Sequence, residues 1–296
     1  MMSEKSFQWN APPSVVGVIG LGDMGLPIAT HLHNAGHRVI GFDLKEERLR
    51  MLAAAGAGTA DSLATVVRES SILLTSLPSS SAFLHVAGEQ ILPLARPGLR
   101  VLETGTTVPE NFREMARRFL EQGVHLNDAP LSGGEKGARS RQLHVFFGGT
   151  ETEFSEYQPF LERFAGSELL HHCGPVGAGQ AMKGVNQLTM AFANATGLEV
   201  LAFAWHSGLD LAQVAEIFDG APVAKMAEHA LHDRANSQGV KFRELPYYLE
   251  EARKMGFHLP MTEALHAFCE KGKRVVVDDH REAPAFWHEL THDKRC

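Results

Sequence analysis

The sequence predicts an α/β fold: a doubly wound, mainly parallel sheet, then an all-α domain built around a long interdomain helix. Three observations carry that prediction. Apolar, strand-like runs alternate with helix-like segments from Val15 to Cys173. From Gly179 onward period-two patterning almost disappears and helical spacing takes over. The length of 296 residues suits two domains of about 150 residues each. The boundary is placed at the Gly174-Pro175-Val176-Gly177 turn, giving domains 1–176 and 177–296, with residues 1–14 as a polar tail.

Val15–Ile19 is short, apolar and β-branched, as a buried parallel strand requires. Glycines follow at once, and Met24–Ala35 has the pattern of a helix stopped by Gly36. Arg38–Asp43 is the second strand, and Lys45–Ala55 the second helix, ended by Gly56. Ser71–Leu77 is a strand that Pro78 closes. Leu99–Thr104 is the next strand, Pro109–Gln122 its helix, and Val124–Asp128 a further strand. Gln142–Gly148 and Leu169–Cys173 are expected as extra strands flanking a helix over Glu151–Phe164. Strand–helix alternation of this kind implies right-handed crossovers between parallel strands. Helices are then expected over Ala181–His206, Leu211–Phe218, Phe242–Met255 and Met261–Lys271, and Val275–Val277 is ambiguous. No repeat of the 20–50 residue kind stands out.

Composition narrows the function. Hydrophobic residues at 44% and charged residues at 21% exclude wholesale disorder. A net charge of −7, with no long block of like charge, argues against nucleic-acid binding. Cys173, Cys269 and Cys296 are odd in number and far apart, so no disulfide framework forms and a reducing compartment, the cytoplasm, is expected. The N-terminal tail has no apolar core for a secretory signal. The longest uncharged stretch, Gly184–Leu198, contains Asn186, Gln187, Thr189, Asn194 and Thr196. It is too short and polar to cross a bilayer and suits a helix buried between protein surfaces, so no membrane partner is expected.

Gly20-Leu21-Gly22-Asp23-Met24-Gly25 spells G-x-G-x-x-G between a strand and a helix, the context that makes this otherwise weak pattern credible. Gly20 permits a tight turn, Gly22 lets a pyrophosphate approach bare backbone, and Gly25 lets the helix sit close to the sheet. The helix N-terminus then offers free N–H groups to the anion. Asp43 ends the second strand about twenty residues beyond the first glycine. A carboxylate there accepts hydrogen bonds from ribose hydroxyls and repels a 2′-phosphate. This favours NAD over NADP, with Lys45 close enough to soften the preference.

Two further constellations follow. In Asp128-Ala129-Pro130-Leu131-Ser132-Gly133-Gly134, a serine and two glycines at a strand end form either an ordinary loop or an anion nest suited to a carboxylate. Gly177-Ala178-Gly179-Gln180-Ala181-Met182-Lys183-Gly184-Val185-Asn186-Gln187 opens the uncharged helix. Lys183 shares a face with Asn186 and Gln187, three and four residues on, and is the only charge between Glu168 and Glu199. Either it snorkels or it is a desolvated, proton-exchanging amine. Partial burial at a domain cleft can lower a lysine from about 10.4 toward roughly 7–8.

These motifs, in this order, resemble the β-hydroxyacid dehydrogenase family, which includes 3-hydroxyisobutyrate dehydrogenase and tartronate semialdehyde reductase and is related to 6-phosphogluconate dehydrogenase. The resemblance runs from about Val15 to about Leu265: G-L-G-D-M-G matches the dinucleotide loop, D-A-P-L-S-G-G the substrate loop, and G-A-G-Q-A-M-K-G-V-N-Q the catalytic segment. It implies a Rossmann-type first domain and hydride transfer between NAD and a small hydroxy acid. Ser132, Gly133 and Gly134 would take the substrate carboxylate. Lys183 would take or return the hydroxyl proton. Asn186 would hold the hydroxyl and orient Lys183, with Gln187 a weaker candidate. Leu77, Pro78 and Thr106 would line the cofactor, and Gly105 stands where a serine is usual. The resemblance also implies a homodimer or homotetramer.

Two departures stand out. The family's Lys-Asp-Leu on a later helix, whose lysine reaches cofactor or substrate, is here Arg243-Glu244-Leu245, followed by Pro246. Arginine keeps the charge but not the geometry. The stretch 218–243 is also shorter than usual. An imine (C=N) reductase on the same scaffold is the alternative, against which Lys183 argues, since such relatives usually replace that lysine. A catalytically silent dinucleotide-binding protein is the other, against which Lys183 and Asn186 together argue. Finally, His288-Glu289-Leu290-Thr291-His292 spells H-E-x-x-H, but the chain offers no later third ligand, so a solvated C-terminal helix is expected, and no metal.

Overall fold

Parallel strands need cover on both faces, and the apolar runs of the first half supply it. The computed structural model describes residues 15–221, 223–224, 227, 244–271, 274–278 and 281–284. Its packing falls into two units, one up to Lys183 and one from Gly184 on. In the first, the strands are β1 (Val15–Ile19), β2 (Arg38–Phe42), β3 (Gly58–Thr59), β4 (Ile72–Thr75), β5 (Arg100–Glu103), β6 (His125–Asp128), β7 (Leu131–Ser132), β8 (His144–Gly148) and β9 (Leu170–Gly174). They form one sheet in the order β3-β2-β1-β4-β5-β6-β8-β7, with β9 pairing β8. Strands β1 to β6 run parallel, and β8 then reverses, antiparallel to β6 and β7.

Helices α1 (Gly25–Asn34), α2 (Glu46–Ala54), α3 (Leu63–Glu69), α4 (Ser80–Val86), α5 (Pro109–Leu120), α6 (Gly134–Ser140) and α7 (Glu151–Leu161) connect the strands. Two apolar clusters result. Val16 and Val18 pack with Ile28 and Leu32 of α1 and Tyr157 and Phe160 of α7. Ile19, Leu73 and Val101 pack with Val66, Phe83 and Phe112 of α3, α4 and α5. Alternate side chains of β1 thus enter different clusters, as period-two geometry dictates.

Strand order reverses between β2 and β5 around the β1–β4 pair, so loops leaving β1 and β4 diverge there and open a crevice at the strand ends. The expected elements are all present within the described residues. In the first unit, the strands and α-helices the sequence did not announce are short: β3, α3, α4, β7 and α6. Seven residues of α3 or α4 make two turns, too few for periodicity to register. Each instead carries a local signal, the Ser62 and Ser79 side chains accepting N–H bonds from Thr65 and Ala82 as N-caps.

Helix α8 (Ala178–His206) begins in the first unit and continues into the second. By length and composition it could cross a membrane, with a mean hydropathy of 1.2 over its most apolar window. Lys183 lies within it, and its first turns are hydrogen-bonded into the α/β unit. In the second unit Ala191, Leu201 and Ala204 of α8 pack with Leu211 and Val214 of α9 (Leu211–Ile217), Leu245 of α10 (Leu245–Lys254) and Leu265 of α11 (Pro260–Lys271). The ambiguous Val275–Val277 run is strand: β10 (Arg274–Asp278) pairs antiparallel with β11 (Arg281–Pro284), a hairpin within a region expected to be all helix. Arg243, most of the shortened 218–243 stretch and the H-E-x-x-H segment lie outside the described residues.

Candidate active site

Gly20 follows β1 with φ of 92°, and a Cβ there would stand 2.3 Å from Ser76 O in the loop after β4. The loops at the reversal point therefore touch through bare backbone. Gly25 opens α1, and its Cβ would meet Gly20 O at 1.9 Å, so no side chain fits. Gly22 differs: nothing lies within 4 Å of where its Cβ would be. The loop is closed where it packs and open at the glycine a pyrophosphate must approach, which fits a dinucleotide. Leu21 is buried, and Asp23, on the rim, pairs with Arg48 of α2 at 3.1 Å. Met24 precedes α1 without a side-chain cap.

Asp43, just past β2, is half-buried. Its Oδ2 accepts the Leu21 N–H at 2.7 Å and its Oδ1 the Lys45 N–H at 2.8 Å. The acid therefore braces the phosphate loop, and each carboxylate oxygen keeps a further lone pair for a ribose hydroxyl. Leu77 joins this loop to the next, its Cδ2 lying 3.3 Å from the Cβ position of Gly20 and its carbonyl 3.2 Å from that of Gly105. Pro78 is exposed and Thr106 half-buried.

Two acids sit side by side where β5 and β6 end, Glu103 in register with Asp128. Glu103 is 1% exposed. Its Oε1 accepts the Gly105 N–H at 2.9 Å and its Oε2 is bonded by the Thr75 hydroxyl. Burial pushes its acid up to about 8, outweighing the bonds from Thr75 and Gly105, and the neighbouring Asp128 adds to the rise. A Cβ at Gly105 would lie 2.4 Å from Glu103 Oε1. The glutamate thus fills the space a serine side chain would use, which accounts for glycine there.

Asp128 is fully buried. Its Oδ1 accepts the Gly177 N–H at 2.7 Å and its Oδ2 the Gln180 N–H at 2.8 Å. Burial raises its acid to about 6, held down from further rise by these backbone donors. Gln180, also fully buried, accepts the Thr107 N–H through Oε1 at 2.8 Å and donates from Nε2 to Gly105 O at 3.0 Å.

One turn further on, Lys183 is 7% exposed and its Nζ donates to Leu131 O at 2.6 Å. Leu131 is the residue before Ser132, so the amine is held against the start of the serine–glycine segment. That segment is not a plain loop: Ser132 ends β7 and is half-buried, while Gly133 and Gly134, at φ 143° and 62°, are exposed and lead into α6. Asn186 is half-buried on the next turn of α8, and Gln187 Oε1 accepts the Tyr248 hydroxyl of α10. Among the described residues no group of three or more metal-binding side chains occurs. Sequence reasoning missed Glu103, Asp128 and Gln180 as site residues. Their signals were weak: a charge inside an apolar strand, the head of the D-A-P motif, and an amide one turn before a lone lysine.

Two family models match. Residues 15–174 match the NAD binding domain of 6-phosphogluconate dehydrogenase, and residues 177–284 match the NAD-binding model of NADP-dependent 3-hydroxyisobutyrate dehydrogenase. A 2-(hydroxymethyl)glutarate dehydrogenase from Eubacterium barkeri is 29% identical over 289 residues, covering 93% of this chain and 95% of that relative. An NAD-dependent L-serine dehydrogenase from Pseudomonas aeruginosa is 34% identical over 204 residues, 68% of each chain. Among solved structures, Mycobacterium tuberculosis 3-hydroxyisobutyrate dehydrogenase with L-serine superposes with a TM-score of 0.80 at 25% identity, covering 96% of this chain and 100% of that one. A Pseudomonas sp. imine reductase shares the fold at 18% identity, with a TM-score of 0.60 over 95% of this chain and 100% of that one.

The state of Glu103 has a measurable consequence. Its acid lies near 8 in the folded chain against an ordinary value of 4.5, so the folded state holds a proton that the unfolded state releases. Its stabilisation is complete below pH 4.5 and is lost as pH rises toward 8. Glu103→Gln keeps an acceptor for the Gly105 N–H, turns the Thr75 bond into donation from its amide to the Thr75 hydroxyl oxygen, and cannot ionise. The unfolding free energy from denaturant titrations should fall more between pH 5 and 8 in the native chain than in the variant, by an amount on the order of a few kcal/mol. Parallel profiles would show that Glu103 is not held neutral.

Proposed function

This chain belongs to the β-hydroxyacid dehydrogenase family, and from that premise we propose an NAD-dependent oxidoreductase that interconverts a small 3-hydroxy acid and its 3-oxo acid or semialdehyde, with Lys183 as general acid and base. The observation that carries the reading is the buried Lys183, its Nζ 2.6 Å from Leu131 O beside Ser132. A buried amine held against a carbonyl is oriented for proton exchange in a way a snorkelling lysine is not. The nicotinamide cofactor, when bound, supplies the carbon that accepts or donates hydride.

The chain's own residues divide the work. The Gly20–Gly25 loop takes the pyrophosphate at the start of α1, and Asp43 takes the ribose. Leu77, Pro78 and Thr106 line the nicotinamide position. The Ser132 hydroxyl and the Gly133–Gly134 backbone hold the substrate carboxylate. During oxidation Lys183 Nζ takes the hydroxyl proton, and in reduction it returns it. Asn186, one turn along, holds the same hydroxyl. Gln187 has an internal partner in Tyr248, which supports a secondary role for it at most.

The two family models, ending at 174 and starting at 177, support the domain boundary at 176/177, although the packing divides further on, between Lys183 and Gly184. A homodimer or homotetramer is proposed on the family resemblance, and the exposed Met190, Val200 and Phe203 of α8 are apolar side chains suited to cover by a second copy. Sedimentation equilibrium should give a mass of two or four chains, and a single-chain mass at micromolar concentration would overturn this.

Lys183→Ala should lower turnover of a small 3-hydroxy acid by roughly 10²–10⁴-fold while leaving the NADH dissociation constant within about twofold. Retained turnover would remove the proton-transfer role. Asp43→Ala should reduce the NAD-over-NADP preference by roughly tenfold or more, because a charged acceptor for the ribose is lost. An unchanged ratio of kcat/KM for the two cofactors would refute that role.

A further inference from the structure

Gln180 commits its side chain to one short piece of chain. Its Oε1 takes the Thr107 N–H and its Nε2 gives to Gly105 O. These are the bonds a residue in a parallel strand makes to the two neighbours of the residue beside it. The carboxamide therefore continues the sheet by one rung, centred on Thr106, beyond the point where β5 ends. The same residue's backbone N–H is held by Asp128 Oδ2, and Lys183 lies one turn further along the same helix. Glu103 fixes the other side of the segment through the Gly105 N–H.

We infer that Gln180 is a positioning residue for the reaction, clamping the backbone on both sides of Thr106 and so setting the nicotinamide-lining segment in fixed register with Lys183. The inference rests on the roles given to Thr106 and Lys183 above. A carboxamide meets both demands at every pH, since one partner needs an acceptor and the other a donor two residues apart, whereas a carboxyl group does so only while protonated. Packing alone does not require this: an apolar side chain of equal length would fill the volume but leave the Thr107 N–H and Gly105 carbonyl without partners.

The test compares two ligands, NADH and ADP-ribose, which lacks the nicotinamide. Gln180→Met should weaken NADH binding roughly tenfold, the worth of one to two lost hydrogen bonds, and leave ADP-ribose binding within about twofold. Acylation of Lys183 by acetic anhydride, followed by mass spectrometry, should speed up severalfold as the amine loses its register. Gln180→Glu supplies the rescue. At pH 5 a neutral acid buried there can still accept from Thr107 and donate to Gly105. By pH 8 the carboxylate cannot donate, and NADH affinity should fall roughly tenfold relative to the native chain. Glu103 and Asp128 are the titratable groups bonded to the same backbone, and the native chain's own profile corrects for them.

Equal losses for NADH and ADP-ribose, or variants that match the native chain in both ligands and in labelling, would overturn the inference. Should Gln180→Met fail to fold, the pH dependence of Gln180→Glu decides alone. The proton-transfer role fails separately, in the turnover of Lys183→Ala, because neither ligand binding nor labelling depends on turnover.

Discussion

Asp128 holds the first turn of helix α8 against the end of the sheet, and the placement of the candidate site depends on that bond pattern. Burying a carboxylate is costly, which is why its acid is raised to about 6. The backbone donors of Gly177 and Gln180 offset that cost, and in return two of the amides a helix start leaves unsatisfied find a strong acceptor. The approach must be close: a Cβ on Gly179 would stand 2.1 Å from Phe146 O. Glycines at the helix start and a carboxylate at the strand end are thus one device.

From that anchor the chemistry is passed along by short, buried links. Gln180 reaches the segment after β5, and Lys183 reaches the carbonyl before Ser132. Segments from β5, from β7 and from the helix are tied within two helical turns. The phosphate loop is organised separately, by contact between bare backbones at the reversal point and by Asp43. The phosphate loop and Lys183 therefore rest on different supports, joined through Leu77, which lies beside both Gly20 and Gly105.

The Glu103–Gly105 pair shows how a departure from family pattern can be absorbed. The carboxyl group occupies the volume of the absent side chain and bonds the same residue's N–H. The result is a buried acid, raised to about 8, beneath the segment and in register with Asp128. Its hydrogen bonds from Gly105 and Thr75 are strengthened by the exclusion of water.

How much of this was legible in the sequence follows from the range of each interaction. Local and periodic signals gave β1, α1, β2, the order of the parallel strands' hydrophobic runs and the G-x-G-x-x-G turn, because period two, period 3.6 and glycine conformation are written within a few residues. The glycines, Asp43 and Lys183 could be singled out by type and spacing alone. The roles of Asp128, Glu103 and Gln180 could not, since their partners lie up to 75 residues away and are brought together only by strand order. Short helices such as α3 and α6 also escaped, having too few turns for a stripe to emerge. Sequence by itself determined which residues could bind a dinucleotide and move a proton. The tertiary structure decided which carbonyl holds the amine and which buried acid holds the helix, because side-chain-to-backbone bonds between distant segments exist only once the sheet has been assembled.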